Sequence, residues 1–316
     1  MRKLWTYAAA TVAFVALETQ RSPAAEFITF GGGPTGGTYY AISTGLAKIF
    51  SAKVKDVEAR VRATNGALEN PVLASAGKID LGPTNANLAV WALGGIEVYK
   101  GKQQPNIALF MGGLAGGHLH IVVLGDSPIK SIADLKGKRI AVGPTGNTTA
   151  LMMNQLLGLH GIAPNAYTPV YVNYNNGFSA LADGNVDAAI VNTAPPVPAV
   201  KEIGIRRSIR LLSVPEDKRK EFLDKYPFYG QGMLAKSIYG TAEDVLTLGT
   251  SNIIIARKDL KPDLVYSMVK AAYENLDDLR AAHPSARVIK VENGPKGGLP
   301  LHPGAARYFK ERGVLK

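Results

Sequence analysis

Two short loops in the chain carry the same four residues, Gly-Pro-Thr-Gly, at positions 33–36 and 143–146. Each loop follows an apolar, strand-like segment and precedes a helical one. A turn from a strand into a helix leaves backbone N–H groups unpaired, and the helix adds partial positive charge at the same place. Glycine also lets a ligand approach the backbone closely. Each loop therefore has the chemistry to bind a phosphate or a carboxylate.

The repetition continues beyond the loops, in the same order along the chain. This ordered series predicts two similar α/β lobes. Ligands of open parallel sheets bind beyond the carboxyl ends of the strands, so we expect the two loops to face each other across one cleft. The matching pairs are residues 33–38 with 143–148, Asn65-Gly66 with Asn176-Gly177, Gly77-x-x-Asp80 with Gly184-x-x-Asp187, and Asn85 with Asn192.

The loops at these strand ends are rich in threonine and asparagine and poor in acids and bases. Such side chains donate and accept hydrogen bonds but hold no evident proton shuttle. The set is therefore typical of a binding site more than of a catalytic one, although asparagine and threonine also cap turns and helices. Its members are Thr35, Thr38, Tyr39, Asn65, Asn85, Asn87, Thr145, Asn147, Thr148, Asn175, Asn176, Asn192 and Thr193.

A competing interpretation is a dinucleotide site, because Gly31-x-Gly33-x-x-Gly36 fits the glycine fingerprint. Pro34 removes one backbone donor from that loop. The second strand should also end in an acidic residue for the ribose, and it ends in Thr64-Asn65 instead. Neither Gly-Pro-Thr-Gly loop carries the lysine of a phosphate-binding P-loop. The residues therefore favour a site without a nucleotide cofactor.

Enzyme and metal motifs are sparse. The sequence has no G-x-S-x-G nucleophile elbow. His118 and His120 would share one face of a strand, but no third ligand stands nearby at metal-binding spacing. The paired acids Asp277 and Asp278 fall on an amphipathic helix and are expected to be solvated. We therefore expect no catalytic residue, no bound metal and no cofactor.

The loops are positioned by alternating strand-like and helix-like segments, the pattern of an α/β fold with mainly parallel sheets flanked by helices. Two separate strands are predicted at 107–114 and 119–125, in a glycine-rich region. Residues 262–283 have the apolar spacing of one long amphipathic helix.

The bulk properties indicate an exported soluble protein. Residues 1–25 begin with Arg2 and Lys3, continue with a short apolar run and end in small residues, as a secretory signal peptide does. The apolar run is too short to span a bilayer, which requires about 20 residues. The 316-residue chain has no cysteine, so it has neither disulfides nor thiolate ligands.

The sequence is basic overall, but the distribution of its basic residues does not predict nucleic-acid binding. The net charge is +11, and residues 1–25 hold three basic and one acidic residue, so about +9 remains after their removal. Such a surface favours anionic solutes or an anionic membrane face. The basic residues are scattered and form no platform interleaved with aromatic residues, so we expect no nucleic-acid partner.

At this level of detail the chain resembles the TAXI family of substrate-binding proteins, which serve TRAP transporters. The resemblance runs through "GGGPTGGTYYAISTGLAKIF", "TNGALENPVLASAGKIDLG", "IKSIADLKGKRIAVGPTGNTT", "VDAAIVNTAPPVPAVKEI", "YENLDDLRAAHPSAR" and "LPLHPGAARYFKERGVL". It implies a two-lobe periplasmic binding protein whose partner is a TRAP permease. It also implies a small organic acid or amino acid as the ligand, such as glutamate, glutamine or 2-oxoglutarate. The implied ligand-binding positions are Gly36, Tyr39, Thr64, Asn65, Gly66, Asn70, Asn85, Gly146, Asn147, Thr148, Asn192 and Thr193.

These inferences combine into one expectation. Lobe 1 comprises residues 26–125 plus 246–316, lobe 2 comprises residues 126–245, and an anionic or zwitterionic solute binds between them in the periplasm. The sister TRAP family clamps a carboxylate with an arginine, and no equivalent can be placed in this sequence. A periplasmic ligand sensor and a periplasmic enzyme acting on a small anionic metabolite remain the alternatives.

Overall fold

The computed structural model describes residues 25–315. Apart from Ala25, the predicted signal peptide lies outside the described residues. Within the described range, no helix is both long enough and apolar enough to cross a membrane.

The strands of residues 25–315 form one mixed sheet, and helices flank it. In chain order the strands are β1 (Glu26–Gly31), β2 (Val57–Arg62), β3 (Leu81–Asn85), β4 (Ile107–Leu124), β5 (Arg139–Ala141), β6 (Thr168–Val170), β7 (Ala188–Thr193), β8 (Ile209–Leu211), β9 (Gly230–Leu234) and β10 (Val245–Arg257). Their order across the sheet is β2-β1-β3-β10-β4-β7-β5-β6, with β8 paired to β4 and β9 paired to β10.

The α-helices are α1 (Thr38–Lys53), α2 (Asn70–Ser75), α3 (Ala86–Gly94), α4 (Thr148–Leu159), α5 (Tyr174–Ala182), α6 (Pro198–Arg206), α7 (Glu216–Lys225), α8 (Lys236–Tyr239), α9 (Pro262–Glu274), α10 (Leu276–Ala282) and α11 (Pro303–Glu311). Short 3-10 helices lie at Glu97–Tyr99, Ala133–Leu135, Pro284–Val288 and Val291–Asn293. The predicted α/β fold is confirmed.

Two units of the chain share one topology. In the N-terminal unit (β1–β3 with α1–α3) the parallel strands lie in the order β2-β1-β3, and antiparallel β10 follows β3. In the central unit (β5–β7 with α4 and α5) the order is β6-β5-β7, and antiparallel β4 follows β7. Each unit therefore has three parallel strands, while the strands that join the units run antiparallel to them.

The repeated Gly-x-x-Asp motif has the same structural role in both units. The Asp80 carboxylate accepts the N–H of Thr29 in β1 at 2.7 Å, and the Asp187 carboxylate accepts the N–H of Arg139 in β5 at 2.8 Å. The backbone N–H of each aspartate donates to the carbonyl of the same strand residue. Gly77 and Gly184 precede them with φ of 68° and 75°, a conformation that favours glycine. The motif ties the third strand of each unit to its first.

The two predicted strands at 107–114 and 119–125 are one continuous strand, β4, so the predicted break is wrong. Gly112 and Gly113 lie inside it, and the register against β10 shifts at three places nearby. An added Cβ at Gly112 would lie 1.8 Å from the carbonyl oxygen of Lys296. The glycines are thus required because another segment of backbone packs directly on the strand.

The long helix predicted at 262–283 is also wrong, because it is divided into α9 and α10 at Asn275. The Asn275 side-chain amide donates to the carbonyl of Ala271 at 2.8 Å, and its own backbone leaves the helical region at φ −125° and ψ 39°. An asparagine side chain that bonds the nearby backbone competes with helix continuation. A new helix then starts with Asp277 and Asp278 in its first turn, where negative charge is stabilising.

Buried apolar residues form separate clusters on the two sides of the glycine-rich middle of β4. Two clusters draw on residues 28–111 and 253–309, and two draw on residues 119–248. Only β4 and β10 contribute residues to both groups. This division is consistent with a two-lobe architecture, and the exact lobe boundaries stay a prediction.

Candidate functional site

A small cavity lies where the two units face each other, at the carboxyl ends of β1, β3 and β7. Its volume is about 20 Å³, and roughly 10–15 Å³ suffices for one water molecule. A solute of several heavy atoms therefore enters only if the units move apart. The lining residues are Pro34, Gly37, Tyr39, Asn65, Gly66, Ala67, Asn85, Asn147, Thr148, Thr149, Tyr174, Asn192 and Thr193.

The structure brings eight of the twelve predicted ligand-binding residues to this cavity: Tyr39, Asn65, Gly66, Asn85, Asn147, Thr148, Asn192 and Thr193. The other four, Gly36, Thr64, Asn70 and Gly146, do not line it. From the broader loop set, Thr35, Thr38, Asn87, Thr145, Asn175 and Asn176 also lie outside the lining. A ligand-binding role stays a prediction for all of the predicted residues, whether or not they line the cavity.

Thr64 and Asn70 support the loops from behind. The Thr64 hydroxyl accepts the N–H of Gly33 at 3.0 Å and donates to the Asn70 side-chain oxygen at 2.7 Å. The Asn70 amide nitrogen donates to the carbonyl of Pro83, also at 2.7 Å. Their polar atoms are thus used to hold the first glycine loop against its neighbours.

Gly36 brings the first loop directly against the central unit. Its φ is 84°, and an added Cβ would lie 2.0 Å from the side-chain oxygen of Asn175. Gly146, at the equivalent position of the second loop, has φ of 76° with no atom within 4 Å of an added Cβ. Both positions need glycine for the turn, and only the first also needs it for contact between units.

Four helices begin at the cavity wall. Gly37, Asn85 and Asn147 occupy the N-cap positions of α1, α3 and α4, and Tyr174 is the first residue of α5. All four residues line the cavity. Each helix has nine residues or more and carries partial positive charge and unpaired N–H groups at its start. The wall is therefore built to attract an anion.

A chain of side-chain hydrogen bonds joins the two units through the cavity wall. The Thr148 hydroxyl, in the central unit, donates to the Asn85 side-chain oxygen at 3.1 Å. The Asn85 amide nitrogen donates to the Asn252 side-chain oxygen at 2.8 Å, and the Tyr39 hydroxyl donates to the same oxygen at 2.7 Å. Asn252 in turn donates to the carbonyl of Ala115, so the network ends on the joining strands β4 and β10.

Three buried polar atoms of cavity-lining residues have no hydrogen-bond partner within residues 25–315: the amide nitrogen of Asn147, the amide oxygen of Asn192 and the hydroxyl of Thr193. Asn147 and Thr193 are only 3% and 4% exposed. Unsatisfied buried polar groups are rare and costly in folded proteins. Together with the four helix starts, they point to a polar ligand at this place.

The two tyrosines of the wall are neutral hydrogen-bonding groups. Burial raises the pKa of Tyr39 far above its ordinary value. Burial also raises the pKa of Tyr174 to about 12, although a hydrogen bond with Thr149 opposes that shift. Neither hydroxyl ionises at neutral pH, so both keep their protons for donation.

A larger cavity of about 390 Å³ lies between β8 and the start of β10. Its cationic side chain, Arg210, already donates to the carbonyls of Gly125, Ser127 and Ile129 at 2.7–3.1 Å. An arginine committed to three carbonyls has little left for an anion. Size alone therefore does not identify the functional site, and the small cavity between the units is the better candidate.

Comparison with known proteins identifies the family of the chain. A model described as the NMT1-like family matches residues 30–313, nearly all of the described chain. The chain belongs to the NMT1-like family. This membership alone does not distinguish the TAXI group or a TRAP partner.

The fold of this NMT1-like chain is shared with solved structures of low sequence identity. A structure named as a periplasmic transporter has 15% identity and a TM-score of 0.56, covering 90% of this chain and 92% of the other. The binding protein of an ABC phosphonate transporter from Pseudomonas aeruginosa has 13% identity and a TM-score of 0.53, covering 84% and 80%. A putative L-cystine ABC transporter from Listeria monocytogenes has 16% identity and a TM-score of 0.51, covering 85% and 98%. At such identities the likeness shows the fold alone, that of periplasmic binding proteins.

In this NMT1-like chain, segment 194–199 docks onto the N-terminal unit and the C-terminal helices. The Ala194 carbonyl accepts from the Thr38 hydroxyl, and the Ala199 N–H donates to the Gly36 carbonyl at 3.4 Å. The Pro196 carbonyl accepts from His283 Nε2 at 3.0 Å. Contact between the units is therefore made by main chain as well as by the cavity-lining side chains.

His120 anchors this segment and is not available as a metal ligand. Its Nδ1 donates to the carbonyl of His118 at 2.8 Å, so its Nε2 accepts from the Tyr239 hydroxyl at 2.9 Å. That hydroxyl also accepts the N–H of Val197 at 2.7 Å. Burial lowers the pKa of His120 to about 3, which keeps it neutral. Both ring nitrogens thus hold the fold together.

Trp91 and Phe228 form an aromatic contact between the two sets of core clusters. Their ring centroids are 4.4 Å apart and the planes are nearly perpendicular. Trp91 packs with the N-terminal unit, and Phe228 packs with the central cluster. The chain has two tryptophans, and the other, Trp5, falls in the predicted signal peptide. Trp91 would then be the sole tryptophan of the exported protein and a reporter of this contact.

Phe228→Ala should raise the Kd for solute by about 3- to 10-fold, because an aromatic pair stabilises the contact between units by roughly 0.5–1.5 kcal/mol. The emission of Trp91 should also shift towards that of a solvated indole. Titration followed by tryptophan fluorescence measures both. Phe27→Ala, at a side chain that is 64% exposed on β1, is the control and should change neither quantity. An unchanged Kd in Phe228→Ala would mean that this contact does not contribute to closure.

Proposed function

We propose that the protein is an extracytoplasmic solute-binding protein that closes its two units around a small organic anion or amino acid. The observation that carries this proposal is the cavity lined by Pro34 of the first Gly-Pro-Thr-Gly loop and by Asn147 and Thr148, which directly follow the second. Four helix starts meet there, beside buried polar atoms that lack partners. A glutamate-, glutamine- or 2-oxoglutarate-like solute is the class that the TAXI resemblance supports.

Binding follows from hydrogen bonds made by both units. Each hydrogen bond to a charged group contributes about 1.5–3 kcal/mol. A micromolar Kd corresponds to about 8 kcal/mol, so a few such bonds suffice once the entropic costs are met. Since only the closed form makes all of these contacts, the solute stabilises that form. The proposed moving lobes are residues 26–125 plus 246–316 and residues 126–245.

The proposed destination of the solute is a TRAP permease in the membrane, which would couple transport to an ion gradient. The predicted signal peptide supports a periplasmic location for the binding protein. No ionised side chain of residues 25–315 lines the cavity, so the lining lacks a carboxylate, histidine or lysine for general acid–base chemistry. This composition supports capture of the solute in preference to its chemical conversion.

The direct test is to purify the protein under native conditions and to identify released small molecules by mass spectrometry, followed by calorimetric titration with each candidate. A carboxylate that binds with 1:1 stoichiometry and is recovered unchanged would support the proposal. Conversion of the compound by the protein would support a periplasmic enzyme instead. Loss of uptake of that solute on deletion of the gene would tie binding to transport, and unimpaired uptake would favour a sensor.

A further inference from the structure

Asn252 lies outside the cavity lining, yet it bonds two residues of the cavity wall. Its side chain is buried, at 3% exposure. The Tyr39 hydroxyl and the Asn85 amide nitrogen both donate to its side-chain oxygen, at 2.7 and 2.8 Å. Its own amide nitrogen donates to the carbonyl of Ala115 in β4 at 2.7 Å. Asn252 therefore links the wall of the cavity to the backbone of a strand that joins the two units.

The sheet is irregular on both sides of Asn252. The register between β10 and β4 shifts between Thr250 and Asn252, and it shifts again between Asn252 and Ile254. Such irregularities bend a strand and redirect a side chain. Because β4 and β10 contribute to the cores on both sides of the cavity, they are the strands that bend if the proposed lobes move apart. Asn252 thus lies where a movement of the lobes reaches the cavity wall.

The Ala115 carbonyl fixes the direction of the hydrogen bonds in this network. A carbonyl can only accept, so the Asn252 atom beside it must be the amide nitrogen. The Asn252 oxygen then faces Asn85 and Tyr39, and the Asn85 atom beside that oxygen must also be a nitrogen. This leaves the Asn85 oxygen directed at the Thr148 hydroxyl of the central unit, 3.1 Å away, which must donate.

From this geometry we propose that Asn252 is a positioning residue for solute binding: it orients Asn85 so that Asn85 accepts a hydrogen bond from Thr148 when the units close. The inference rests on the proposed function and adds to it a residue that does not line the cavity. The side-chain oxygen of Asn252 carries the role, because it holds the Asn85 amide nitrogen. The bond between Asn85 and Thr148 stabilises the closed form, and the solute binds that form more tightly.

A double-mutant cycle separates this role from simple support of the fold. Calorimetric titration with L-glutamine and L-glutamate supplies the Kd. Thr148→Val has a similar shape and should weaken binding at least about fivefold, because the buried Asn85 oxygen loses its partner. In Asn252→Ala the Asn85 amide is no longer oriented, so adding Thr148→Val should change the Kd less than about twofold.

Asn252→Asp distinguishes the acceptor role from stability. Aspartate keeps oxygens that accept from Tyr39 and Asn85, so adding Thr148→Val to this variant should again weaken binding at least about fivefold. Asn252→Asp and Asn252→Ala both lose the donor to the Ala115 carbonyl, and thermal unfolding should show a lower Tm for both. A purely structural role would make the two backgrounds respond alike to Thr148→Val.

Thr149→Val is the matched control. Thr149 follows Thr148 in α4 and is also buried, and its hydroxyl bonds the Tyr174 hydroxyl and the N–H of Asn192, both within the central unit. The factor by which Thr149→Val changes the Kd should be the same, within about twofold, in the parent and in Asn252→Ala. If Thr148→Val also had equal effects in these two backgrounds, the inference would be overturned and the proposed function would stand.

Neutron diffraction from crystals of the parent protein tests the orientation without a substitution or a solute. We expect one Asn252 amide deuteron directed at the Ala115 carbonyl, and an Asn85 amide deuteron directed at the Asn252 oxygen. An Asn252 oxygen beside the Ala115 carbonyl would overturn the inference even if the Asn252 variants did not fold. Binding of neither amino acid by the parent would count against the proposed function, whereas the deuteron positions test the orientation independently of it.

Discussion

Asn147→Asp is expected to weaken solute binding by at least about 30-fold while leaving the protein folded. The side-chain oxygen of Asn147 caps α4 by accepting the N–H of Ala150 at 3.2 Å, and aspartate caps helices as well as asparagine does. The substitution removes the unpartnered amide nitrogen and replaces it with a negative charge. Two like charges 4 Å apart repel by about 4 kcal/mol at an effective dielectric constant of 20, and half of that accounts for the effect.

The comparison variant is Asn173→Asp, which adds the same charge at the start of α5 but at a side chain outside the cavity lining, so a smaller loss of affinity is expected. The Asn173 side chain also caps its helix, accepting the N–H of Asn176 at 2.9 Å, but it does not line the cavity. Titration calorimetry should give a Kd within about threefold of the parent for this variant. The Tm should fall further in Asn147→Asp, because its new carboxylate lies at a position only 3% exposed, whereas Asn173 is half-buried. Equal losses of affinity in the two variants would show that the effect is general electrostatics. Loss of the folded state of Asn147→Asp under the titration conditions would assign a structural role to that loop.

Gly112→Ala is expected to lower the free energy of unfolding by about 3 kcal/mol or more, since overpacking a close contact costs roughly that amount. The new Cβ would lie 1.8 Å from the Lys296 carbonyl oxygen, 2.8 Å from its carbon and 3.1 Å from the Asn293 carbonyl oxygen. All three atoms are backbone, so no side-chain rotation relieves the clash. Urea and thermal unfolding, followed by circular dichroism, measure the loss.

Gly230→Ala provides the comparison for that variant. Gly230 begins β9, and an added Cβ there has no atom within 4 Å. Its free energy of unfolding should stay within about 0.5 kcal/mol of the parent, as for most surface substitutions. If Gly112→Ala were as stable as Gly230→Ala, the close approach of residues 293–296 to β4 would be wrong.

The sequence repeat was a reliable guide to the architecture because most of its matched pairs have the same local physical function in both units. The Gly-Pro-Thr-Gly loops need positive φ at Gly36 and Gly146, and Asp80 and Asp187 each tie the third strand of a unit to its first. The match of Asn65-Gly66 with Asn176-Gly177 was less informative. Gly66 lies in a turn with φ of 97°, whereas Asn176 and Gly177 lie inside α5.

Other features could not be predicted from the sequence because they depend on contacts with segments far away along the chain. Gly112 and Gly113 resemble a break in the sequence, and only the approach of Lys296 and Asn293 to these two residues explains them. Residue type also does not separate a ligand contact from a support: Thr64 and Asn70 resemble Asn65 and Asn85, yet they bond the loop itself.

Some residues that line the cavity were also not predicted from the sequence. Pro34, Gly37, Ala67, Thr149 and Tyr174 line the cavity but carried no separate signal, although all except Ala67 are near a predicted loop or helix start. Asn252, which bonds Asn85 and Tyr39, comes from a strand more than 160 residues away in sequence. Only the antiparallel pairing of β10 with β3 places it there.

The central claim is that the two glycine loops, one in each unit, enclose one small carboxylate. A crystal structure with the tightest-binding acid at saturating concentration tests it most directly. We predict the carboxylate within hydrogen-bond distance of the Asn147 amide nitrogen and of the first N–H groups of α4, with the rest of the solute touching the N-terminal unit. A solute bound to one unit only, or seated in the larger cavity beside Arg210, would contradict the claim.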